Sequence, residues 1–282
     1  SATFGSNPTD TSSITPATLK ALLDAGTAVT LQANNDITLK SALTVDNANG
    51  DGGALTLLAG RNININAALT TDNGNFTAVA GSKHAVLVSA NTEVGYPTLT
   101  IGPAGSINAG TGAMNLSATF FDNQNTSAQS ITAGVANLYL PYLNGDNGGW
   151  TYFKPGGQTP DGKRYGISFD ESTVVGTCEV GCSLPSSGFN VLYTALPTLE
   201  VAPNTGQTMV YGNTYTPGGY TLSGFVDGDA ASTAGISGTA EYLVRLITKG
   251  TTGSNHLPAG TWDVIYTSGL ASSLGYRVQP KM

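Results

Sequence analysis

The chain has little charge. Only 10% of its 282 residues are Asp, Glu, Lys or Arg, and 18 acidic residues outnumber 11 scattered basic ones, for a net charge of −7. With no basic stripe and no interleaving of basic and aromatic residues, nucleic acid is excluded as a partner. Histidine is scarce too. His84 and His256 each stand without a second histidine or a cysteine in their neighbourhood, and zinc needs three or four ligands. There is no apolar run of eighteen residues, so no membrane span is expected. No signal peptide is recognisable. The opening Ser1-Ala-Thr-Phe-Gly-Ser6 reads as the start of a mature or excised piece. A G-x-S-x-G elbow and a Walker loop are both missing, which removes the usual hydrolase and nucleotide-binding signatures.

Only two cysteines occur, in Cys178-Glu-Val-Gly-Cys182. The spacing is not the C-x-x-C of redox proteins, and two thiols cannot complete a structural zinc site. If the chain is exported, the expectation is a disulfide between Cys178 and Cys182 that pins a tight loop. Free thiols, or a linkage to another chain, are the alternatives.

Glycine is abundant, at 37 residues, with Asn, Thr, Ser and Ala filling much of the rest. This composition suits short strands joined by tight turns. The strands are legible because they repeat. Thr27–Leu43 aligns with Gly53–Leu69 at an offset of 26 residues throughout. That offset sets Val29 on Leu55, Leu31 on Leu57, Ala33 on Ala59, Ile37 on Ile63, Leu39 on Ile65 and Leu43 on Leu69. A third copy begins at Asn75, offset by 21 residues from Leu55 to Phe76. Apolar residues fall at every second position, the strand period. Repeats of this length, each with two or three short strands, predict a β-solenoid whose turns must stack to bury their apolar faces. The Asn- and Gly-rich stretches Asp46–Gly53, Asp72–Asn75 and Ala109–Gly112 are expected at the corners, where positive φ is needed. Asn34, Asn35, Asn62, Asn64 and Asn66 are candidates for stacked amide ladders.

Four segments follow from this pattern. Residues 1–13 are a polar, extended lead-in and a candidate strand donor to a neighbouring molecule. Residues 14–140 hold the solenoid and one short helix, capped by Thr15, with Pro16 at its first position, an apolar stripe of Leu19, Leu22 and Leu23, and a stop at Gly26. Residues 141–194, rich in aromatics and including the cysteine loop, are expected to cover the open end of the solenoid. Residues 195–282 carry short strand-like runs and predict a small β-sandwich-like module.

The stretches Val29–Leu39 and Leu55–Ile65, and the corner Gly105–Gly112, resemble the filamentous-haemagglutinin type of bacterial exoprotein. Val210–Asn213, Leu222–Asp229 and Gly260–Leu270 are similar to the MBG or YDG-type modules that follow such regions. The resemblance covers most of residues 14–279. It implies an all-β chain, with a right-handed parallel β-helix followed by the small module. It also implies a secreted or bacterial cell-surface adhesin, used for attachment or biofilm cohesion and exported by two-partner secretion with an outer-membrane partner for the parent chain. It supplies no catalytic residues and no cofactor.

Enzyme chemistry is weighed against turn chemistry residue by residue. A polysaccharide lyase or hydrolase on such a scaffold needs positioned carboxylate pairs or a calcium site with a basic residue beside it. Asp36, Asp46, Asp51 and Asp72 instead sit among glycines and asparagines, at expected corners. Asn47, Asn49 and Asp51 place oxygens at alternate positions before Gly52, and Asp227 and Asp229 form a second acidic pair, so both places are weak calcium candidates. Leu58 stands where an EF-hand loop would need its Glu. The aromatics Trp150, Tyr152, Phe153 and Trp262 are the candidate contacts for a ligand or partner, although filling a core is the commoner use of such side chains. The favoured expectation is a non-enzymatic structural or adhesive protein that forms a stiff rod or fibre, associates end to end and contacts a glycan or a host or bacterial surface. A lectin-like polysaccharide-binding module is the alternative.

Overall fold

The period-two alternation of apolar residues makes short strands, and the corner residues between them turn the chain back over itself. The computed structural model describes residues 11–83, 96–208, 218–246 and 261–282. Most of the lead-in 1–13, the run His84–Val88, the motif Val210–Asn213 and His256 lie outside the described residues. Two compact units are present, one of Ser1–Glu179 with Ser183–Ala195 and the other of Val180–Cys182 with Leu196–Met282.

The first unit opens with the helix Pro16–Asp24. Thr15 caps it, its side chain accepting from the Thr18 N–H at 3.2 Å. Leu19 and Leu23 are buried, whereas Leu22, expected in the same stripe, is 45% exposed. The helix end is tied to the sheets by the Gly53 N–H, which donates to the Leu23 carbonyl at 2.8 Å. Gly53 has to be glycine, because a Cβ there would lie 2.0 Å from the Thr27 carbonyl oxygen.

Three sheets follow. The first has seven strands in the spatial order Val29–Ala33, Leu55–Ala59, Phe76–Ala80, Ala113–Ser117, Val135–Leu140, Gly188–Tyr193 and Gly162–Arg164. The second has five: Ile37–Leu39, Ile63–Ile65, Thr98–Ile101, Phe120–Asn123 and Phe153–Lys154. The third has four: Leu43–Thr44, Ala68–Thr70, Ser106–Asn108 and Ile131–Thr132. All their pairings are parallel. Val29 pairs with Leu55, Ile37 with Ile63 and Leu43 with Leu69, the 26-residue offset, and Leu55 pairs with Phe76, the 21-residue offset. Inward residues such as Leu57, Ile63, Leu69, Phe76, Leu99, Ile107, Met114 and Phe121 are fully or nearly fully buried. Burying each such side chain contributes about 1.5–3 kcal/mol.

Corner carboxylates and amides tie one strand layer to the next through backbone N–H groups. Asp36 accepts from the Asn62 N–H at 3.0 Å, Asn62 from Thr98 at 3.0 Å, Asn73 from Thr111 at 3.0 Å and Asn75 from Ala113 at 2.9 Å. Asp72 and Asn73 hold positive φ, at 51° and 62°. The expected amide ladder is therefore not how Asn62 is used. Its amide oxygen accepts from backbone, and Asn64 reaches only the Thr38 hydroxyl, at 3.4 Å. A side-chain bridge satisfies a backbone donor at a bend where the sheet ladder cannot.

The expectation of a right-handed parallel β-helix with a β-sandwich-like module is corrected. Among the described residues about 44% are strand and 5% helix, mostly in parallel sheets, and the strands described do not make a closed solenoid. A solenoid adds its layers in chain order, giving every sheet one strand per turn. Here the three sheets hold seven, five and four strands. Gly188–Tyr193 also inserts between Val135–Leu140 and Gly162–Arg164, out of chain order. Between those two late strands the chain leaves the stack altogether and forms the antiparallel hairpin Ile167–Asp170 with Val175–Cys178.

That hairpin packs on the outward side of the seven-stranded sheet. Phe169 stacks on Tyr139 at 4.5 Å, and a Cβ at Gly176 would come within 2.7 Å of the Tyr139 ring. Glu171 accepts from the Ser82 hydroxyl and, at 3.0 Å, from the Lys83 N–H. Leu58, Val79 and Tyr139, all out of phase with the core, are buried in this sheet. The aromatic-rich segment thus packs on a flank of this sheet, and its Tyr165, Phe189 and Tyr193 are buried at the late strands.

The second unit is a three-stranded sheet and a long two-stranded ribbon. Thr198–Pro203 pairs antiparallel with Tyr220–Ser223 and parallel with Arg277–Pro280, while Ile236–Leu246 pairs antiparallel with Trp262–Ser272. The parallel pairing of an early strand with the last one is not a pairing of a purely antiparallel sandwich. Tyr276 holds this unit, its hydroxyl bonded to Asp229 Oδ2 at 2.7 Å and to the Val226 backbone.

Candidate functional site

An exposed group of aromatic rings stands out on the first unit. Strand phase creates it. In Phe120–Asn123 the ring of Phe121 points inward and is buried, so Phe120 points outward. On the neighbouring layer the Tyr152 carbonyl accepts from the Phe121 N–H at 2.8 Å. This sets Tyr152 against Phe120, stacked with centroids 4.8 Å apart. Tyr142 lies 5.0 Å from Tyr152. Trp150 meets Phe120 edge-on at 6.1 Å, and Tyr96 lies 5.5 Å from Phe120 and 6.4 Å from Trp150.

The segment that carries Trp150 is held at several points. The Gly145 N–H donates to the Trp150 carbonyl at 2.8 Å, and Asp146 accepts from the Leu143 N–H at 3.0 Å. The Asn144 side chain both accepts from and donates to the Phe153 backbone, at 2.8 and 3.1 Å. On the other side, the Pro97 carbonyl accepts from the Thr119 and Phe120 N–H groups at 3.0 Å each, fixing the chain beside Tyr96. Tyr96, Trp150 and Tyr142 are 61, 54 and 38% exposed, while Tyr152 beneath them is 3% exposed. Large rings that stay exposed while touching one another form a preformed contact surface. Their faces suit C–H groups of a ligand and their phenol and indole edges suit its polar groups.

Of the residues singled out from the sequence, Trp150 and Tyr152 meet here. Phe153 does not. It turns into the interior and lies 5.9 Å from Phe121 and 6.5 Å from Phe189. Trp262 belongs to the second unit, opposite Leu246 in the ribbon. Tyr96 and Phe120 escaped sequence reasoning. The doublet Phe120-Phe121 was the available signal, since a strand can turn only one of two adjacent rings inward.

The weak calcium candidates are engaged in turns. Asn47 Oδ1 accepts from the Asn49 N–H at 3.1 Å, and Asn47 Nδ2 donates to the Asp51 carbonyl at 2.7 Å. Asp227 sits at positive φ, 51°, and Asp229 binds the Tyr276 hydroxyl. Among the described residues no three His, Cys, Asp or Glu side chains come together. Cys178 and Cys182 are disulfide-bonded. No helix among the described residues is long and apolar enough to cross a membrane.

Charged groups along the five-stranded sheet include two ion pairs. Asp36 and Arg61 form a two-pronged ion pair, Nε to Oδ1 at 2.9 Å and Nη2 to Oδ2 at 2.6 Å. The Arg61 hydrogen bonds hold the Asp36 carboxyl below its usual range, aided by the Asn62 N–H and opposed by partial burial. Lys154 lies 3.9 Å from Asp122. Away from the rings, bonds from Ser172 and Thr173 lower the Asp170 carboxyl, and burial raises the Tyr139 phenol.

No protein family, no curated protein and no solved structure matches this chain.

Proposed function

We propose that this chain is an adhesive segment of a secreted or surface-attached bacterial exoprotein, that it contacts glycans, and that it binds without catalysing. One observation carries the reading: Tyr96, Phe120 and Trp150 touch one another on an outward sheet face, and two of the three are more than half exposed. Solvated rings are costly to leave uncovered without a use, and sugars present apolar C–H faces that such rings can cover. Resemblance to the filamentous-haemagglutinin type adds export through an outer-membrane partner to the same reading. The test is a glycan array read with the native chain and with Trp150→Ala. Binding to at least one glycan class is expected, with about a tenfold or greater loss in the variant, as for an aromatic hot spot. No binding anywhere, or release of reducing ends from a bound polysaccharide, overturns it.

A second reading, end-to-end self-association, has its own support. Val29, Leu31 and Ala33 on the first edge strand are only half-buried, whereas their partners Leu55, Leu57 and Ala59 are buried. Open strand edges template pairing with another chain. Light scattering across a hundredfold concentration range should then show growth beyond the monomer, and Leu31→Lys should suppress it. A monomer throughout removes this reading.

A further inference from the structure

We propose that the ligand of the aromatic platform is an extended, uncharged polysaccharide. It continues from the rings across the outward face of the five-stranded sheet, with about one sugar per strand. This deepens the glycan reading above and rests on it. Register places the path. Ile37, Ile63, Leu99, Phe121 and Phe153 form one inward column. The adjacent outward column is Thr38, Asn64, Thr100, Asp122 and Lys154. A short second row leads directly from the rings: Phe120 pairs with Thr98, whose N–H is bonded to Asn62.

Three features of this face fit such a chain. Its hydrogen-bonding groups repeat at the strand spacing, about 4.8 Å, close to the advance of one ring in an extended sugar chain. The middle of the column has bonding capacity to spare. Thr100 makes no side-chain hydrogen bond among the described residues, and Asn64 makes only the 3.4 Å contact with Thr38. Finally, both of its carboxylates have a basic partner, Asp36 in Arg61 and Asp122 in Lys154, and the exposed Lys40 stands beyond the end of the column. The middle of the column, Thr38, Asn64 and Thr100, carries no charge to hold uronates or sulfated chains, and hydroxyl groups are what its amides and hydroxyls can bond. The rings would hold one end of the oligomer and the column would add bonds with each further sugar.

The experiment titrates the native chain, followed by Trp fluorescence and calorimetry, with neutral oligosaccharides of two to six units. The cello-, manno- and N-acetylchito- series are used, with oligogalacturonates as the acidic arm. For at least one neutral series, affinity should rise about tenfold or more between the dimer and the pentamer. In Asn64→Ala/Thr100→Ala the rise should flatten, with the pentamer weakened about fivefold for each hydrogen bond lost. Thermal melting of the double variant within a few degrees of native establishes that it is folded. Affinity independent of length, a double variant that binds like native, or binding only to the acidic oligomers would each overturn the track. If the first two occur while Trp150→Ala still abolishes binding, the glycan reading survives and the track alone falls. If no oligomer and no array glycan binds, both fall.

Discussion

Two aromatic groups lie one residue out of phase on either side of the five-stranded sheet. Inside, Phe121, Phe153 and Phe189 pack within 6.5 Å of one another, and Phe121 is fully buried. Outside, Phe120, Tyr152, Trp150 and Tyr96 also touch, yet Tyr96 and Trp150 stay more than half exposed. Phe120 and Phe121, and Tyr152 and Phe153, are adjacent in the chain, while the inner trio is all Phe and three of the four outer rings carry a phenol or indole group. What separates a core from a contact surface is the period of two, which sends alternate side chains to opposite faces. The two groups also rest on different support. Phe121 and Phe189 are buried and Phe153, on the edge strand, is half-buried, while the outer rings rest on a short loop and a stacked Tyr152.

The sharpest way to break this comparison is to truncate one ring on each face. Phe121→Ala removes a ring from the filled interior and leaves a cavity, with an expected loss of about 3–5 kcal/mol of stability. Trp150→Ala removes a larger ring from the surface and should change stability by no more than about 0.5 kcal/mol, while binding is lost as described above. Urea unfolding of both variants measures the contrast. Equal destabilisation would mean that Trp150 belongs to the core, and the platform would then be only the outer layer of packing.

This contrast also explains what the sequence disclosed. The pairing of Val29 with Leu55 and of Ile37 with Ile63 was legible because apolar period and repeat length point to the same register. The corners at Asp72 and Asn73 were legible because few residues other than glycine tolerate positive φ. The closed β-helix was overread. A repeat reports only that adjacent copies pair, and nothing local marks the insertion of Gly188–Tyr193 beside Val135–Leu140. The covering hairpin did leave a trace. Leu58, Val79 and Tyr139 are apolar at outward phase, which calls for a partner on that face. Local aromatic density marks Trp150 and Tyr152. Phe120 is marked only by its doublet with Phe121, and Tyr96 joins the rings through the contact of its segment with Phe120, which nothing local in the sequence announces.

The smallest expected effect tests the polar end of the outer face. Asp36, next to Ile37 of the first strand in this sheet, is held below the carboxylate value of 3.8 chiefly by Arg61. A depressed folded-state value contributes stability that is present above the unfolded value and disappears as pH falls through the folded one. The relevant window is therefore acidic, below about pH 4. Asp36→Asn keeps an oxygen for the Asn62 N–H but removes the charge facing Arg61. Because the pair is partly exposed, solvent screens it, and the native chain should exceed the variant by no more than about 1 kcal/mol at pH 7. That difference should shrink towards zero as pH drops below 4, and should also narrow in high salt. Measuring the difference between the two proteins cancels the other lowered carboxylates, Asp24 and Asp170, which titrate in both. A difference that persists unchanged to pH 2 would assign the effect to hydrogen-bond geometry at the corner, and the charge balance of this face would then need another source.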